Sequence, residues 1–317
     1  MNKIMTFSAV VGMMLWLAGN IGCAAGPIRH AFLAVDESRH QVIYVNQFDP
    51  SKDWAIPGPF RDIQLIGGNK LLVSAGDGYR EYDMATRNLV KEVKGFQGVE
   101  SVRRLPDGRT LLACNQDGVT IRELDREGKE IRHASFKTGG QTRLMRLTPQ
   151  GTFVFGTFFT DNKTFEGNLD GQVIHAFTVA GSSGAYMALR KPNGNLLMSN
   201  GYDAAVLELD SNFKVLKTLG GKASPVGKEL GFNFFGGMQV LKNGDIVVAN
   251  WTGHGAGDSV KGTQILQFNP QGKVVWKWHD PRRAGSTHGV IVLDDLNANV
   301  LNDDVSSVLG PVGAGGR

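Results

Sequence analysis

A group of arginine, histidine, tyrosine, tryptophan and amide side chains falls at equivalent positions of a repeated pattern, and these residues could bind or transform a ligand. Arginine can hold a carboxylate or sulfate through two hydrogen bonds, and histidine and tyrosine can transfer protons. Tryptophan can stack on a sugar or an aromatic ring. The candidate ligand-binding residues are Arg103, Arg143, Tyr186, Gln239, Asn250, Trp251, His254 and His288. The catalytic candidates among them are His288, His254 and Tyr186.

Each of these candidates also has a purely structural interpretation. An asparagine at a strand end commonly only forms the turn, an arginine can bond neighbouring carbonyl groups, and a single histidine is more often structural than catalytic. The sequence contains no Gly-x-Ser-x-Gly, His-Glu-x-x-His or Cys-x-x-Cys motif and no calcium loop. A metal site is therefore not expected, and binding and catalysis remain alternatives.

The elements that would position these side chains are short β-strands in a repeat of 40 to 50 residues. Each repeat contains a glycine turn followed by an apolar run, and no window shows helical periodicity. The turn glycines are Gly68, Gly108, Gly151, Gly194 and Gly244. The strands of the clearest repeat cover 99–105, 109–115, 119–124 and 129–136. Four strands in such a repeat are typical of a propeller blade, so the sequence predicts an all-β protein, a β-propeller of four-stranded antiparallel blades.

The two ends of the chain complete the count of blades. The N-terminus offers three strands, over 30–35, 41–45 and 53–56, and the C-terminus offers one, over 287–293. Pairing of the C-terminal strand with the N-terminal blade would close the propeller and remove exposed sheet edges. With five internal repeats this predicts six blades, or seven if the loop-like segment 222–235 hides another.

Propeller geometry explains why the candidate residues should meet. The innermost strand of each blade runs along the central channel. Connections from the outermost strand to the next blade, and connections between the second and third strands, therefore lie at the same end, the top. The candidate residues fall at the starts of innermost strands or in second-to-third connections. We therefore expect the site at the top of the channel, where a rigid scaffold carries varied loops.

The first 25 residues are typical of a secretory signal peptide, with the cation Lys3, an apolar stretch over 9–18 and small residues near Ala25. An alternative is a lipid anchor at Cys23, since Ile-Gly-Cys resembles the end of a lipobox. The protein is therefore expected to be exported to the periplasm or the extracellular space, with no transmembrane span after processing. The propeller domain is predicted over 26–296, followed by a loosely structured tail over 297–317.

Composition excludes several classes of protein and partner. Hydrophobic residues make up 41% of the 317 residues, which excludes a disordered chain. The net charge of +4 is small and evenly spread, so a nucleic-acid partner is not expected. With Cys23 removed or lipidated, Cys114 is alone in an apolar run, and it is predicted to be a small buried hydrophobe. Trp276 and Trp278 fall on an outermost strand, where they are expected to pack between blades.

A family resemblance rests on the segment Phe-Leu-Ala-Val-Asp-Glu-Ser-Arg over 32–39, the blade turn Leu-Pro-Asp-Gly-Arg-Thr-Leu-Leu over 105–112, and Gly-Lys-Val-Val-Trp-Lys-Trp over 272–278. These segments resemble secreted bacterial PQQ-like repeat β-propeller proteins and, more distantly, the propeller of arylsulfotransferases. The resemblance covers nearly the whole mature chain and implies the fold. The Ala-x-Asp-x-x-Thr-Gly-x-x-x-Trp docking pattern of quinone-dependent relatives is absent, so no cofactor is expected, pyrroloquinoline quinone included.

Two classes of function are compatible with these residues. The first is an exported propeller that binds a glycan, a small anion or a protein partner through the top of its channel. The second is an enzyme of the lyase or sulfotransferase type acting on an anionic saccharide or aryl ester. In the enzyme, Arg143 or Arg103 would neutralise the anion and His288 or His254 would act as base or nucleophile. Convergence of His288, Arg143 and Tyr186 in one pocket would favour the enzyme.

Overall fold

The computed structural model describes residues 26–303 and 310–311, so the predicted signal peptide lies outside the described residues. The described chain is almost entirely β-structure, with one α-helix, α1 (Pro225–Leu230), and 3-10 helices at Pro50–Lys52, Gly201–Asp203 and Ala256–Lys261. The strands are β1 (Ala31–Asp36), β2 (Gln41–Asn46), β3 (Trp54–Pro57), β4 (Phe60–Leu65), β5 (Lys70–Ala75), β6 (Gly78–Asp83), β7 (Leu89–Lys94), β8 (Val99–Arg104), β9 (Thr110–Asn115), β10 (Val119–Leu124), β11 (Glu130–Phe136), β12 (Gln141–Leu147), β13 (Phe153–Phe158), β14 (Thr164–Gly167), β15 (Val173–Phe177), β16 (Ala185–Arg190), β17 (Leu196–Asn200), β18 (Ala205–Leu209), β19 (Val215–Gly220), β20 (Phe234–Val240), β21 (Ile246–Trp251), β22 (Ile265–Phe268), β23 (Val274–Trp278), β24 (Thr287–Val292), β25 (Asn302–Asp303) and β26 (Gly310–Pro311).

These strands form antiparallel sheets in a propeller-like arrangement. The four-stranded sheets are β24-β1-β2-β3, β4-β5-β6-β7, β8-β9-β10-β11 and β20-β21-β22-β23. Strands β12 to β19 form one eight-stranded sheet, whose two antiparallel halves are joined by a single parallel bridge between Leu144 and Met187. The all-β class and the four-stranded antiparallel unit predicted from the repeat are therefore confirmed.

The first sheet contains strands from both ends of the described propeller. Strand β24 pairs antiparallel with β1, with Phe32 opposite Val292 and Val35 opposite Gly289. This is the closing pairing that the sequence predicts, and it gives β1 a hydrogen-bonded neighbour on both sides. Closure matters energetically because an unpaired strand edge exposes its backbone donors and acceptors.

The innermost strand of each four-stranded set lies at the centre of the molecule. Strands β4, β8, β12, β16, β20 and β24 contact one another in a closed cycle, which we call the inner ring. Every residue of β16, β20 and β24 is buried, whereas the outermost strands β7 and β15 are largely exposed. The inner ring therefore forms the wall of a narrow central channel.

The core lies between neighbouring sheets, where apolar side chains of adjacent units interdigitate. Phe32 of β1 packs edge-on against Trp276 and Trp278 of β23, with ring centroids 5.9 and 5.3 Å apart. Both tryptophans are buried, which confirms the prediction that they pack between units. Cys114 is also fully buried, and burial raises the pKa of its thiol to about 11, so its role is that of a small hydrophobe.

The glycines of the repeated turns are explained by backbone conformation. Gly108, Gly151, Gly194 and Gly244 have φ between 77° and 90°, a region that side chains other than glycine rarely adopt. In the first of these turns the Gly108 N–H donates to the Leu105 carbonyl over 2.9 Å. The sequence period is therefore the period of these tight turns, which join the innermost strand of a unit to its second strand.

Two segments differ from the sequence predictions. The segment 222–235, expected to be a loop, contains helix α1, which Ser224 caps by accepting a hydrogen bond from the Gly227 N–H over 3.0 Å. The expectation of a loosely held tail does not describe residues 297–303, because Leu301 bridges to Ile66 and Asn302 is fully buried, with its carbonyl accepting a hydrogen bond from the Gln64 side chain over 2.9 Å. The rest of the tail lies outside the described residues, except 310–311. No helix in the described chain is long and apolar enough to cross a membrane.

Candidate functional site

Every strand of the inner ring has a β-bulge near the end that lies at the top of the channel. A bulge places extra residues opposite one partner residue and redirects their side chains, which is why bulges are common beside active sites. The bulge residues are Arg61 and Asp62 in β4, Glu100 in β8, Arg143 and Leu144 in β12, Tyr186 in β16, Gly236 and Gly237 in β20, and His288 in β24. The bulges therefore collect two arginines, the Glu100 carboxylate, a tyrosine and a histidine at one mouth, whereas the second carboxylate, Asp62, is buried against Arg103 and Arg146.

Arg61 is the centre of the polar contacts at this mouth. Its guanidinium contacts the Glu100 carboxylate of the neighbouring strand β8 and lies 3.7 Å from Glu37 Oε1. It also reaches to the Tyr186 hydroxyl, 3.4 Å away on β16, three strands distant around the inner ring. Burial by itself would lower the pKa of Arg61, but Tyr186, Glu100 and Glu37 raise it above its usual range. Arg61 therefore stays charged and spans the channel mouth.

Arg143 is the less firmly paired of the two arginines. Its Nη1 donates to the Thr142 carbonyl over 2.9 Å and to the Gln141 side chain over 3.2 Å, and lies 3.6 Å from Glu100 Oε1. The guanidinium is 5.7 Å from the centroid of the Phe159 ring. Because its ion pair is long and its other bonds are to uncharged groups, Arg143 can accept an anion without breaking a close ion pair.

His288 is the most unusual group of the mouth. It is only 2% exposed, and neither ring nitrogen makes a well-aligned hydrogen bond within the described residues, although the backbone carbonyls of Phe60 and Arg61 lie nearby. Burial lowers the pKa of His288 well below the usual range, and the positive charges of Arg61 and Arg143 lower it further, although backbone carbonyls of Phe60 and Arg61 oppose this. The imidazole is therefore neutral at neutral pH, and it is a buried polar group at the edge of the mouth.

Tyr186 lies beside His288, with ring centroids 6.3 Å apart. It is 2% exposed, and burial raises the pKa of its hydroxyl, although the positive charge of Arg61 opposes the change. The positive charge of Arg143 also opposes the rise in the pKa of Tyr186, and it adds to the lowering of the pKa of His288. His288 and Tyr186 are therefore neighbours, and Arg143 lies on the same side of the ring because it shares Glu100 with Arg61.

Glu37 is a member of the site that sequence reasoning missed. It lies in the connection between β1 and β2, where its carboxylate accepts a hydrogen bond from Trp251 Nε1 and lies 3.4 Å from His254 Nδ1. His254 itself is 80% exposed and packs edge-on against the Trp251 ring, 4.7 Å away. The signal that could have found Glu37 is its position, since it occupies a second-to-third connection of the kind that carries Trp251 and His254.

Three of the predicted ligand-binding residues instead make structural contacts. Arg103 is buried, with its guanidinium 3.1 Å from Asp62 Oδ1 and 2.9 Å from the Ile63 carbonyl. The Gln239 side chain donates a hydrogen bond to the Val292 carbonyl over 3.1 Å and accepts one from the Val292 N–H over 2.6 Å. The fully buried Asn250 accepts from two backbone N–H groups and donates to two backbone carbonyls. The structure therefore gives all three a role in joining strands and connections.

Below the mouth lies a cavity of about 20 Å³, lined by Arg61, Asp62, Arg103 and Arg146 together with Gly237 and Gly289. It has room for about one water molecule. Among the described residues, no group of three or more histidine, cysteine, aspartate or glutamate side chains is arranged to hold a metal ion. A ligand would therefore sit on the mouth rather than pass through the channel.

Comparison with known proteins supports the fold. No family model matches the chain, and no curated protein matches it significantly. Among solved structures, a protein of unknown function from Bacteroides caccae is similar over 84% of this chain and 100% of its own, with 18% identity and a TM-score of 0.71. A streptogramin B lyase is similar over 87% of this chain and 91% of its own, with 10% identity and a TM-score of 0.58. At these identities the likeness defines the class of protein, a β-propeller.

Proposed function

We propose that this β-propeller binds a small anionic ligand at the top of its channel, between Arg143, Arg61 and His288. The observation that carries the proposal is the buried imidazole of His288, which lies near the Arg61 and Arg143 guanidinium groups and makes no well-aligned hydrogen bond within the described residues. A buried polar group without a hydrogen bond lowers the stability of the folded protein. Its presence here therefore favours a ligand that supplies the hydrogen bond. An anion with a second polar group fits, because Arg143 would hold the charge and His288 or Tyr186 the polar group.

The proposal is tested by calorimetric titration with acetate, benzoate and glucuronate. We expect saturable binding of at least one, and Arg143→Ala should weaken it by about 1.5–3 kcal/mol, the value of a charge-assisted hydrogen bond. The matched control is Arg132→Ala, since Arg132 is 48% exposed on the outermost strand β11 and pairs with Glu123. If no anion binds, or if both substitutions weaken binding equally, the proposed site is wrong.

A second candidate function, an enzyme of the lyase type, is favoured by the same neutral histidine. A neutral imidazole can take a proton from the carbon next to a carboxylate, and the electron pair of that C–H bond forms a double bond to the neighbouring carbon. The bond from that neighbour to its leaving oxygen breaks, and the oxygen takes a proton from water. Arg143 or Arg61 would stabilise the negative charge that develops on the carboxylate. Incubation with uronic-acid oligosaccharides should then produce a conjugated double bond, detected by ultraviolet absorbance, and His288→Gln should abolish it. If the oligosaccharides bind but no product forms, the lyase function is wrong and only the binding function remains.

We also infer the finer architecture and the location. The eight-stranded sheet is interpreted as two blades, since one parallel bridge joins its halves, and the inner ring of six strands then corresponds to six blades. The layout of residues 1–25 supports export to the periplasm or the extracellular space. The repeat supports a relationship to the PQQ-like repeat propellers.

A further inference from the structure

The top of the channel also carries aromatic side chains that anion binding by itself does not use. Phe159 and Tyr202 lie in the connections after the second strands β13 and β17, and Trp251 is the last residue of the next second strand, β21. Phe159 is 65% exposed and Tyr202 is 45% exposed, while Trp251 is partly exposed. Exposed aromatic side chains gathered at a channel mouth are typical of a ligand-binding surface.

These rings are connected to one another through buried aromatic residues. Tyr202 and Trp251 pack edge-on against Phe234, with centroids 4.8 and 5.7 Å away. Phe158 lies 6.2 Å from Phe159 and 5.9 Å from Phe234. We call the three exposed rings, Phe159, Tyr202 and Trp251, the aromatic arc. Because Phe158 and Phe234 are buried, they hold the arc in place from beneath.

Phe159 is held in an unfavourable backbone conformation. Its φ is 79°, in the left-handed region where a bulky side chain is a genuine outlier. Its side chain is mostly exposed, so packing offsets little of that strain. Backbone strain of this kind clusters at functional sites and ligand clamps. A glycine would adopt the same backbone at no steric cost, so the ring itself is the feature that needs an explanation.

The arc adjoins a positive charge, and two amide side chains beside it are already hydrogen-bonded. The Arg143 guanidinium lies over the Phe159 ring, 5.7 Å from its centroid. The amides beside the arc are occupied, because Asn200 donates to Asp203 over 2.7 Å and the side chain of Asn250 makes four hydrogen bonds to backbone groups. Exposed aromatic rings beside a guanidinium suit a flat apolar ring that carries an acid group.

We propose that the aromatic arc is a stacking surface for an aromatic carboxylic acid, whose carboxylate is held by Arg143. The inference rests on the proposed anion-binding function and names its ligand class. A ligand ring that stacks on Phe159 would lie beside the Arg143 guanidinium, so that the ligand's carboxylate could pair with this positive charge. The strained conformation of Phe159 is then retained because it presents the ring to the ligand.

The test is calorimetric titration with four probes: benzoate, cyclohexanecarboxylate, glucuronate and benzyl alcohol. These separate the planar ring from the carboxylate and from hydroxyl groups. We expect benzoate to bind more tightly than each of the others, and Phe159→Gly to weaken benzoate about five- to ten-fold. Since glycine relieves the strain, the melting temperature of Phe159→Gly should equal or exceed that of the parent.

Phe213→Gly is the matched control. Phe213 also has a positive φ, 63°, but it lies in the turn between β18 and β19, at the other end of the sheets, and stacks on Phe177 with centroids 3.9 Å apart. It should leave benzoate affinity unchanged. If benzoate and glucuronate bind equally and Phe159→Gly has no effect, the aromatic ligand class is wrong while anion binding stands. If none of the carboxylates binds, the proposed function fails as well.

Discussion

Asp62→Asn should strongly destabilise this propeller, because Asp62 is a buried carboxylate shared by two buried arginines. Asp62 is 2% exposed, and its oxygens lie 3.1 Å from Arg103 Nη2 on β8 and 3.1 Å from both Nη1 and Nη2 of Arg146 on β12. The same carboxylate accepts hydrogen bonds from the Ser101 hydroxyl and, over 3.2 Å, from the Val102 N–H. It therefore ties three neighbouring strands of the inner ring together.

The magnitude follows from what the substitution leaves behind. Asparagine is nearly isosteric and keeps a carbonyl oxygen for the Val102 N–H, so the packing and part of the hydrogen bonding are preserved. What is lost is the negative charge opposite Arg103 and Arg146, and breaking a buried ion pair by removing one partner costs about 3–5 kcal/mol. Urea-induced unfolding followed by circular dichroism measures the free energy of unfolding directly.

Asp77→Asn is the control for this prediction. Asp77 is 49% exposed and pairs with Arg80 on the surface, so its loss should cost about 0.2–1 kcal/mol. Arg103→Met tests the structural role of the arginine, and it should lower stability without changing anion affinity. Combined with Asp62→Asn, its effect should be less than additive. If Asp62→Asn costs no more than Asp77→Asn, the buried network does not hold the inner ring together.

Two further predictions concern pH and processing. The pKa of His288 is lowered in the folded protein, so the unfolded chain binds a proton that the folded chain does not. The free energy of unfolding should therefore fall as pH drops below about 6.5. Urea titrations at pH 7 and pH 5 should show a smaller fall for His288→Gln than for the parent. An equal fall in both proteins would contradict the attribution to His288. The mature protein should begin near Ala25, or at a lipidated Cys23, in intact-mass measurement of material from the envelope fraction; a soluble cytoplasmic protein starting at Met1 would exclude export.

Most of the fold can be predicted from the sequence because propeller strands follow local rules. Alternation of apolar and polar residues defines a strand, and the glycines at positive φ mark the tight turns, so the strands predicted over 109–115 and 119–124 agree with β9 and β10 to within about a residue. The closing pair of β1 and β24 follows from counting, since a repeat with three strands at one end needs a fourth from the other.

The site can be predicted only in part, because position along a strand does not determine what a side chain contacts. Arg143 and Arg103 look alike in sequence, since both lie on an innermost strand. The bulge in β12 directs Arg143 to the mouth, whereas Arg103 lies in the regularly paired part of β8 and meets Asp62 inside. A bulge depends on how neighbouring backbones fit around the ring, as at Gly236, where an added Cβ would lie 2.6 Å from the His288 carbonyl oxygen.

The sequence by itself determined the strands, their turns and the closed repeat, because these depend on interactions between residues close in the chain and on their period. Only the tertiary structure decided that Glu37 joins Trp251 and Arg61, that His288 is buried with no well-aligned hydrogen bond within the described residues, and that Phe159 lies beneath the Arg143 guanidinium. Those arrangements depend on residues far apart in the chain. They exist because closure of the inner ring brings the upper ends of all its strands together. A pattern within one segment of the sequence does not determine how close residues of different strands lie.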